Sequence, residues 1–229
     1  MIEEYGIFNN YQKFIVLDIE GYQKFKPYNI GYMITDRHGN IYKKVSLALL
    51  SNMVENFNNA IVTNICKEMT SKNVLEILSD ENYKYTYINN ENFVKMFKED
   101  VQKYQISKVW AYNVNFDKGG LLAIDESLCD SLEFCDIISA ILPRLLTKRY
   151  IKFCEKNGFL TKKGNYRYSA EIVYRYLTND LNFVEAHTGL EDVQIEYQIL
   201  LSALKSGYKI ESKPQGPIWK KFKNFVKGE

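Results

Sequence analysis

This chain contains few residues suited to a structural metal site, since its 229 residues include only four cysteines and two histidines. The cysteines are Cys66, Cys129, Cys135 and Cys154, and none of them forms a CxxC pair. Zinc ribbons and fingers take their ligands from such closely spaced pairs, so the sequence argues against a structural zinc site. Scattered cysteines of this kind are most often small, buried hydrophobic side chains.

The sequence also lacks a hydrophobic run of the roughly 20 residues that cross a bilayer as a helix, which argues against an integral membrane protein. Its first residues, 1–13, are acidic and polar. A secretory signal peptide instead combines a basic start with an apolar stretch. We therefore expect a cytoplasmic protein in a reducing compartment, with no membrane association.

The chain as a whole has no large excess of charge of either sign. Its 30 basic and 28 acidic side chains leave a formal net charge of +2, which neither favours nor excludes nucleic-acid binding. Residues 206–229 differ, because they include six lysines and only two glutamates, with Trp219, Phe222 and Phe225 among them. Such a mixture can grip single-stranded nucleic acid. A C-terminal helix that packs its aromatic side chains on the core is the preferred interpretation.

The remaining composition is typical of a globular domain, with 46% hydrophobic and 25% charged residues. The length fits one generous domain or one domain with additions. The sequence shows no repeat and no low-complexity linker. We therefore assign residues 1–205 to one domain and residues 206–229 to a basic, aromatic tail.

Strand and helix patterns alternate along the chain and predict an α/β fold with a mixed sheet. An antiparallel meander and two later strands are predicted over residues 14–20, 28–35, 41–49, 107–112 and 132–136. Helices are predicted over residues 91–104, 116–126, 137–156, 169–177 and 188–204. Residues 52–78 show polar and apolar side chains at helical spacing, although the segment 50–90 matches no pattern of known role.

The first predicted strand ends in an unusual pair, Asp18 and Glu20. Two residues apart on a strand, their side chains point to the same face of the sheet. Carboxylates on one covered face repel each other unless a cation lies between them, which makes this pair a candidate metal site. The alternative is a solvated strand end, where acidic residues are common.

A second candidate, Asp117, lies where the strand pattern of residues 109–112 gives way to a helix. This strand end can face the same cleft as Asp18. The alternative is that Asp117 only caps the helix or interacts favourably with its dipole.

The third candidate group comes from the start of the helix predicted near residue 188. Thr188 and Glu191 form a TxxE pattern, which predicts a capping box. The capping box leaves His187 and Asp192 unexplained. Both of these residues can project toward one end of the helix, although a single histidine is more often structural than catalytic.

Taken in order, these residues resemble the motifs of the DEDDh branch of the DnaQ-like 3′→5′ exonucleases, in the ribonuclease H-like superfamily. The motifs are Asp18-Ile19-Glu20, Asn113-Val114-Asn115-Phe116-Asp117 and His187-Thr188-Gly189-Leu190-Glu191-Asp192. The resemblance covers about residues 14–205, and three motifs in this order are more specific than any one of them. The chain departs from the family after the first motif, where Gly21-Tyr22-Gln23 stands in place of Thr-Thr-Gly.

The resemblance implies a ribonuclease H-like mixed sheet, formed by a three-strand antiparallel meander plus parallel strands, with helices on both faces. It also implies two Mg²⁺ or Mn²⁺ ions, with Asp18 bridging both ions and His187 taking a proton from the attacking water. The residues that it implies as metal ligands are Asp18, Glu20, Asp117 and Asp192. We predict substrate contacts at Gly21, Tyr22, Asn113 and Phe116, where Tyr22 is chosen by its position alone as a side chain that could stack on a base.

The activity implied by the resemblance is hydrolysis from the 3′ end of single-stranded nucleic acid, with release of nucleoside 5′-monophosphates. Single-stranded DNA is the first choice of substrate, and short RNA, as for an oligoribonuclease-like enzyme, is the alternative. A proofreading role would require a separate polymerase or another replication or repair protein as partner. A different class of function is a nucleic-acid-binding or regulatory module on the same fold without catalysis. The presence of all five expected acidic and basic residues argues against that class.

Overall fold

The computed structural model describes residues 12–22, 26–49 and 86–228. The strands in these ranges are β1 (Phe14–Tyr22), β2 (Lys26–Thr35), β3 (Ile41–Leu49), β4 (Thr86–Ile88), β5 (Lys108–Ala111) and β6 (Glu133–Asp136). The helices are α1 (Asn90–Tyr104), α2 (Val114–Ile124), α3 (Ile137–Leu145), α4 (Lys148–Lys156), α5 (Ala170–Thr178), α6 (Gly189–Leu204) and α7 (Ile218–Lys227). The helical spacing of residues 52–78 lies outside the described residues. No helix in the described ranges is long and apolar enough to cross a membrane.

The six strands form one mixed sheet in the order β4-β3-β2-β1-β5-β6. Strands β1, β2 and β3 pair antiparallel, as the sequence predicted for the meander. Strands β5 and β6 extend the sheet from β1 in parallel, and β4 pairs in parallel with β3 at the other edge. The prediction of an α/β fold with a mixed sheet is therefore confirmed, whereas the short edge strand β4 was not predicted.

Helices pack on both faces of this sheet, and β1 contributes side chains to both. Phe14 and Val16 belong to the core under α3, α5, α6 and α7. The alternate residues Ile15, Leu17 and Ile19 belong to the core under α1 and α2. Because strand side chains alternate between faces, Asp18 and Glu20 point to the α6 side of the sheet.

One predicted helix, over residues 137–156, is two helices in the structure. Pro143 lies inside α3 and cannot donate a backbone hydrogen bond, which weakens that helix near its end. Thr147 then caps a new helix, since its side chain accepts a hydrogen bond of 3.3 Å from the backbone N–H of Tyr150. The prediction of one continuous helix over residues 137–156 was wrong, because Thr147 starts a new helix where the first one ends.

The C-terminal helix α7 packs on the core, as its preferred interpretation expects. Ile218 and Phe222 are buried. The Phe222 ring stacks on those of Tyr150 and Tyr168, with centroids 5.9 and 6.0 Å apart. Trp219, in contrast, is 38% exposed.

Helix α6 begins in direct backbone contact with the sheet, at Gly31 of β2 and Gly189 of α6. A Cβ atom added to either glycine would overlap the backbone of the other. Asn29 locks the same contact, because its Oδ1 accepts a hydrogen bond of 2.6 Å from the N–H of Gly189. Gly31 pairs with Asp18 in the β1–β2 register. The start of α6 is therefore held directly beside the predicted acidic pair.

The substitution Gly189→Ala should destabilise the protein by at least about 2 kcal/mol, because the added methyl group forces two backbones apart. Denaturant unfolding of the purified variant measures this loss. Gly216→Ala is the matched control, since a Cβ at Gly216 meets nothing within 4 Å. Equal stability of the two variants would contradict the described contact.

Candidate functional site

Side chains from three separate parts of the chain meet at the end of β1. Asp18 and Glu20 come from β1 itself, Asp117 from the first turn of α2, and Asp192 from the first turn of α6. Asp117 is buried, and its Oδ1 accepts a hydrogen bond of 2.9 Å from the backbone N–H of Ile19. This bond fixes Asp117 beside the peptide that separates Asp18 from Glu20.

His187 completes a group that could hold a cation. Glu20, His187 and Asp192 each offer one ligand atom, and these atoms lie within 4.8 Å of one another. His187 has a left-handed φ of 56°, which costs a non-glycine residue about 1–2 kcal/mol. Its backbone lowers the pKa of the Asp192 carboxyl group, against the larger effect of burial. Such strain is typical of functional sites.

The predicted capping box at the start of α6 is wrong in its detail. The Thr188 side chain caps no backbone N–H. Its hydroxyl instead donates to Oε2 of Glu191 at 2.5 Å. The Asn29 side chain accepts the hydrogen bond from the N–H of Gly189, so a residue distant in sequence caps the helix.

Three of the predicted substrate contacts lie close in the chain to the acidic residues. Gly21 follows Glu20 at a register shift of the β1–β2 pair. Asn113 precedes α2 with a left-handed φ of 64°, and Phe116 is 41% exposed. The side chain of Tyr22 lies outside the described part of the chain.

The structure adds two acidic residues that the sequence interpretation missed. Glu196 lies one turn beyond Asp192 on α6 and is only 3% exposed. Glu185 lies just before the helix, and its charge raises the pKa values of Asp192 and Glu196. The charge of Glu20 in turn raises the pKa of Glu185. The spacing of Asp192 and Glu196 was the available signal for Glu196, since residues four apart share a helix face. Nothing in the sequence singles out Glu185.

Three carboxylate oxygens in this group are buried and have no hydrogen-bond partner: Asp18 Oδ2, Asp192 Oδ1 and Glu196 Oε2. Buried polar atoms are normally paired, because leaving one unpaired costs free energy. The four charged neighbours that raise the pKa of Asp18 most are all carboxylates. The group therefore offers hard oxygen ligands to a cation, and the donor set fits Mg²⁺ or Mn²⁺.

Burial and mutual repulsion raise the pKa values of these carboxyl groups. Burial, followed by the neighbouring carboxylates, raises the pKa of Asp18 well above its ordinary value. Burial raises the pKa of Glu20 to about 7, and burial with Glu185 and Glu20 raises that of Asp192 to about 9. Burial also raises the pKa of Asp117, although the N–H of Ile19 opposes this shift.

A cavity of about 570 Å³ opens beside the start of α2. Its walls include Tyr112 and Asn113 on one side, and Arg167, Tyr168 and Ile218 on the other. The Tyr112 hydroxyl donates to the backbone carbonyl of Tyr168 at 2.5 Å. The backbone of Tyr112 also lowers the pKa of Glu196, so this residue lies both in the cavity wall and beside the acidic group.

Comparison with known proteins gives this chain no family. No protein-family model matches the chain, and no curated protein matches it either. The acidic group, His187 and the cavity beside the start of α2 are therefore the features from which a function can be proposed.

The metal-free protein should lose stability as the pH rises from about 5 to about 9. Unfolded carboxyl groups release their protons near pH 4. Folded Glu20 and Glu185 keep theirs to about pH 7, and Asp192 to about pH 9. In this window the folded state binds more protons than the unfolded state, so raising the pH favours unfolding. Thermal unfolding in EDTA measures the effect.

Saturating Mn²⁺ should flatten the same profile, because the cation then compensates the ionised carboxylates. A metal-free melting temperature that stays constant between pH 5 and pH 8 would contradict the described electrostatics.

Proposed function

We propose that the protein is a metal-dependent 3′→5′ exonuclease with a ribonuclease H-like fold. Its substrate is single-stranded nucleic acid, with DNA as the first choice, and its product is a nucleoside 5′-monophosphate. The observation that carries this proposal is the meeting of Asp18, Glu20, Asp117, Asp192 and His187 at one end of β1. The mixed six-strand sheet with helices on both faces is consistent with that fold.

The carboxylates account for metal binding. Two divalent ions, when bound, would position the attacking water and offset the charge of the scissile phosphate. Asp18, Glu20 and Asp192 would hold them. Asp117 would supply a further carboxylate oxygen, and its hydrogen bond from the Ile19 N–H keeps it beside β1. The buried oxygens without partners on Asp18 and Asp192 would thereby gain ligands.

His187 supplies the proton acceptor. Burial lowers the pKa of His187 below its ordinary value, so its imidazole is neutral at neutral pH. A ring nitrogen takes a proton from the attacking water, whose oxygen then forms a bond to phosphorus. The bond from phosphorus to the 3′-oxygen of the preceding nucleotide breaks. That oxygen acquires a proton from solvent, and the phosphate remains on the released nucleotide.

The cavity beside α2 supports a nucleic-acid substrate. Tyr112 and Tyr168 offer aromatic surface, and exposed Arg167 offers a cation. Single strands bind proteins through stacking on aromatic rings and through contacts of basic side chains with phosphates. Asn113 lies in the wall of this cavity and four residues before Asp117 in the chain, so the cavity adjoins the start of the helix that carries Asp117.

Asp18→Asn should lower exonuclease activity at least about a hundredfold while the protein stays folded, because it removes a charge that two cations would share. The assay uses 5′-labelled single-stranded DNA and RNA oligonucleotides with Mg²⁺, Mn²⁺ or EDTA. Wild type should give a descending ladder that requires a free 3′ hydroxyl and stops in EDTA. The ratio of DNA to RNA degradation identifies the substrate.

Asp130→Asn, at an exposed residue, is the charge-matched control and should retain full activity. If Asp18→Asn turned over substrate nearly as fast as wild type, the proposal that Asp18 holds catalytic metal ions would be rejected. Metal-dependent oligonucleotide binding without any hydrolysis by the wild type would favour a nucleic-acid-binding module instead.

His187→Ala should lower turnover by roughly 10²–10⁴-fold and leave Mn²⁺ binding in place, because the four carboxylates remain. The imidazole must be neutral to accept a proton, and its pKa is lowered by burial. Wild-type activity should therefore fall only when the pH drops below the ordinary histidine value, and the variant should lack this acid limb. The measurement is turnover against pH at saturating Mn²⁺. Parallel acid limbs would exclude the base assignment, and an equal loss of Mn²⁺ affinity would make His187 a ligand.

A further inference from the structure

Glu196 is a buried carboxylate for which neither packing nor helix formation gives a reason. It lies on the face of α6 that packs on the sheet, between the buried residues Ile195 and Tyr197. Its Oε2 is shielded from solvent and has no hydrogen-bond partner. A glutamate is almost never fully buried unless it is paired, and an apolar side chain would fill this position at lower cost.

The surroundings of Glu196 point to a cation rather than to a protein partner. The charged groups that raise the pKa of Glu196 most are Asp117 from α2, Asp192 from its own helix, and Glu185 from the preceding segment. Glu196 is in turn the foremost charged neighbour of Asp18 on β1. Each of these groups is acidic. The backbone of Tyr112, at the end of β5, lowers the pKa of Glu196, against the larger effects of burial and of the neighbouring carboxylates.

The buried oxygens without hydrogen-bond partners lie where β1 and α6 pack on each other. Asp18 Oδ2, Asp192 Oδ1 and Glu196 Oε2 are all buried without partners, and they come from two elements that pack on each other. Glu20 and His187 lie with Asp192 in one group of candidate ligands. Asp18 and Glu196 lie outside that group, as two carboxylates that repel each other.

We propose that Glu196 is a fifth acidic ligand, which holds a divalent cation together with Asp18 so that the protein binds two ions before nucleic acid arrives. This inference rests on the metal-binding part of the proposed function and not on hydrolysis. Four carboxylates would balance two divalent cations in charge. Glu196 adds a further negative charge, which favours retention of both ions without the phosphate of a substrate.

The test is calorimetric titration of Mn²⁺ into the metal-free full chain in the absence of nucleic acid. Wild type should bind two ions per chain. Glu196→Gln keeps the shape of the side chain but removes the charge and one ligand oxygen. Its second ion should bind at least about tenfold more weakly or not at all. In EDTA this variant should melt at a higher temperature than wild type, because carboxylate repulsion falls.

Asp100→Asn is the matched control. Asp100 is also a buried carboxylate, but it belongs to the opposite side of the sheet, where Lys43 and Tyr32 bond it. Its replacement should lower stability equally with and without Mn²⁺ and leave two ions bound. If Glu196→Gln does not fold, Glu196→Asp replaces it in the titration. This variant shortens the side chain by one methylene, so it should also lower the affinity for the second ion.

Unchanged two-ion binding in either folded Glu196 variant would overturn the inference. That result would leave the proposed function standing if wild type degrades oligonucleotides. Another outcome is a wild type that binds two ions but has no nuclease activity, together with a Glu196→Gln variant that binds the second ion more weakly. That result would reject the proposed function and support the inference. Absence of Mn²⁺ binding by wild type would overturn both.

Discussion

The backbone contact between Gly31 and Gly189 determines how the candidate site is assembled. It allows α6 to begin directly on β2, opposite the position of Asp18 in the β1–β2 register. The Asn29 side chain supplies the N–H acceptor that Thr188 does not. Any side chain at either glycine would separate the helix from the sheet. His187 and all the acidic groups of α6 would then move away from β1.

Electrostatics in the assembled site oppose the stability of the metal-free fold. Carboxylates on β1, α2 and α6 are buried close together, and burial raises their pKa values. The Ile19 N–H offsets part of the repulsion through its hydrogen bond to Asp117. A divalent cation would offset much more, because it interacts with several carboxylates at once. The same arrangement that makes the apo protein sensitive to pH would make cation binding strong.

Local sequence patterns predicted the parts of the structure that depend on near neighbours. The meander, β5, β6 and the placement of Asp18 and Glu20 on one face follow from strand periodicity and turn residues. The proximity of Asp117, His187 and Asp192 to this pair was predicted from motif order. Contacts between distant elements escaped this reasoning. Asn29 displaced the predicted capping box, and the burial of Glu196 depends on how α6 lies on the sheet.

Diffraction from crystals soaked in Mn²⁺, recorded at the manganese absorption edge, tests the central claim most directly, because it locates the ions without reference to activity. The account predicts two anomalous peaks roughly 3.5–4 Å apart, both within ligand distance of Asp18. Glu20, Asp117 and Asp192 should surround the pair. Saturated crystals with no anomalous peak at Asp18, or with manganese only elsewhere on the molecule, would contradict the account.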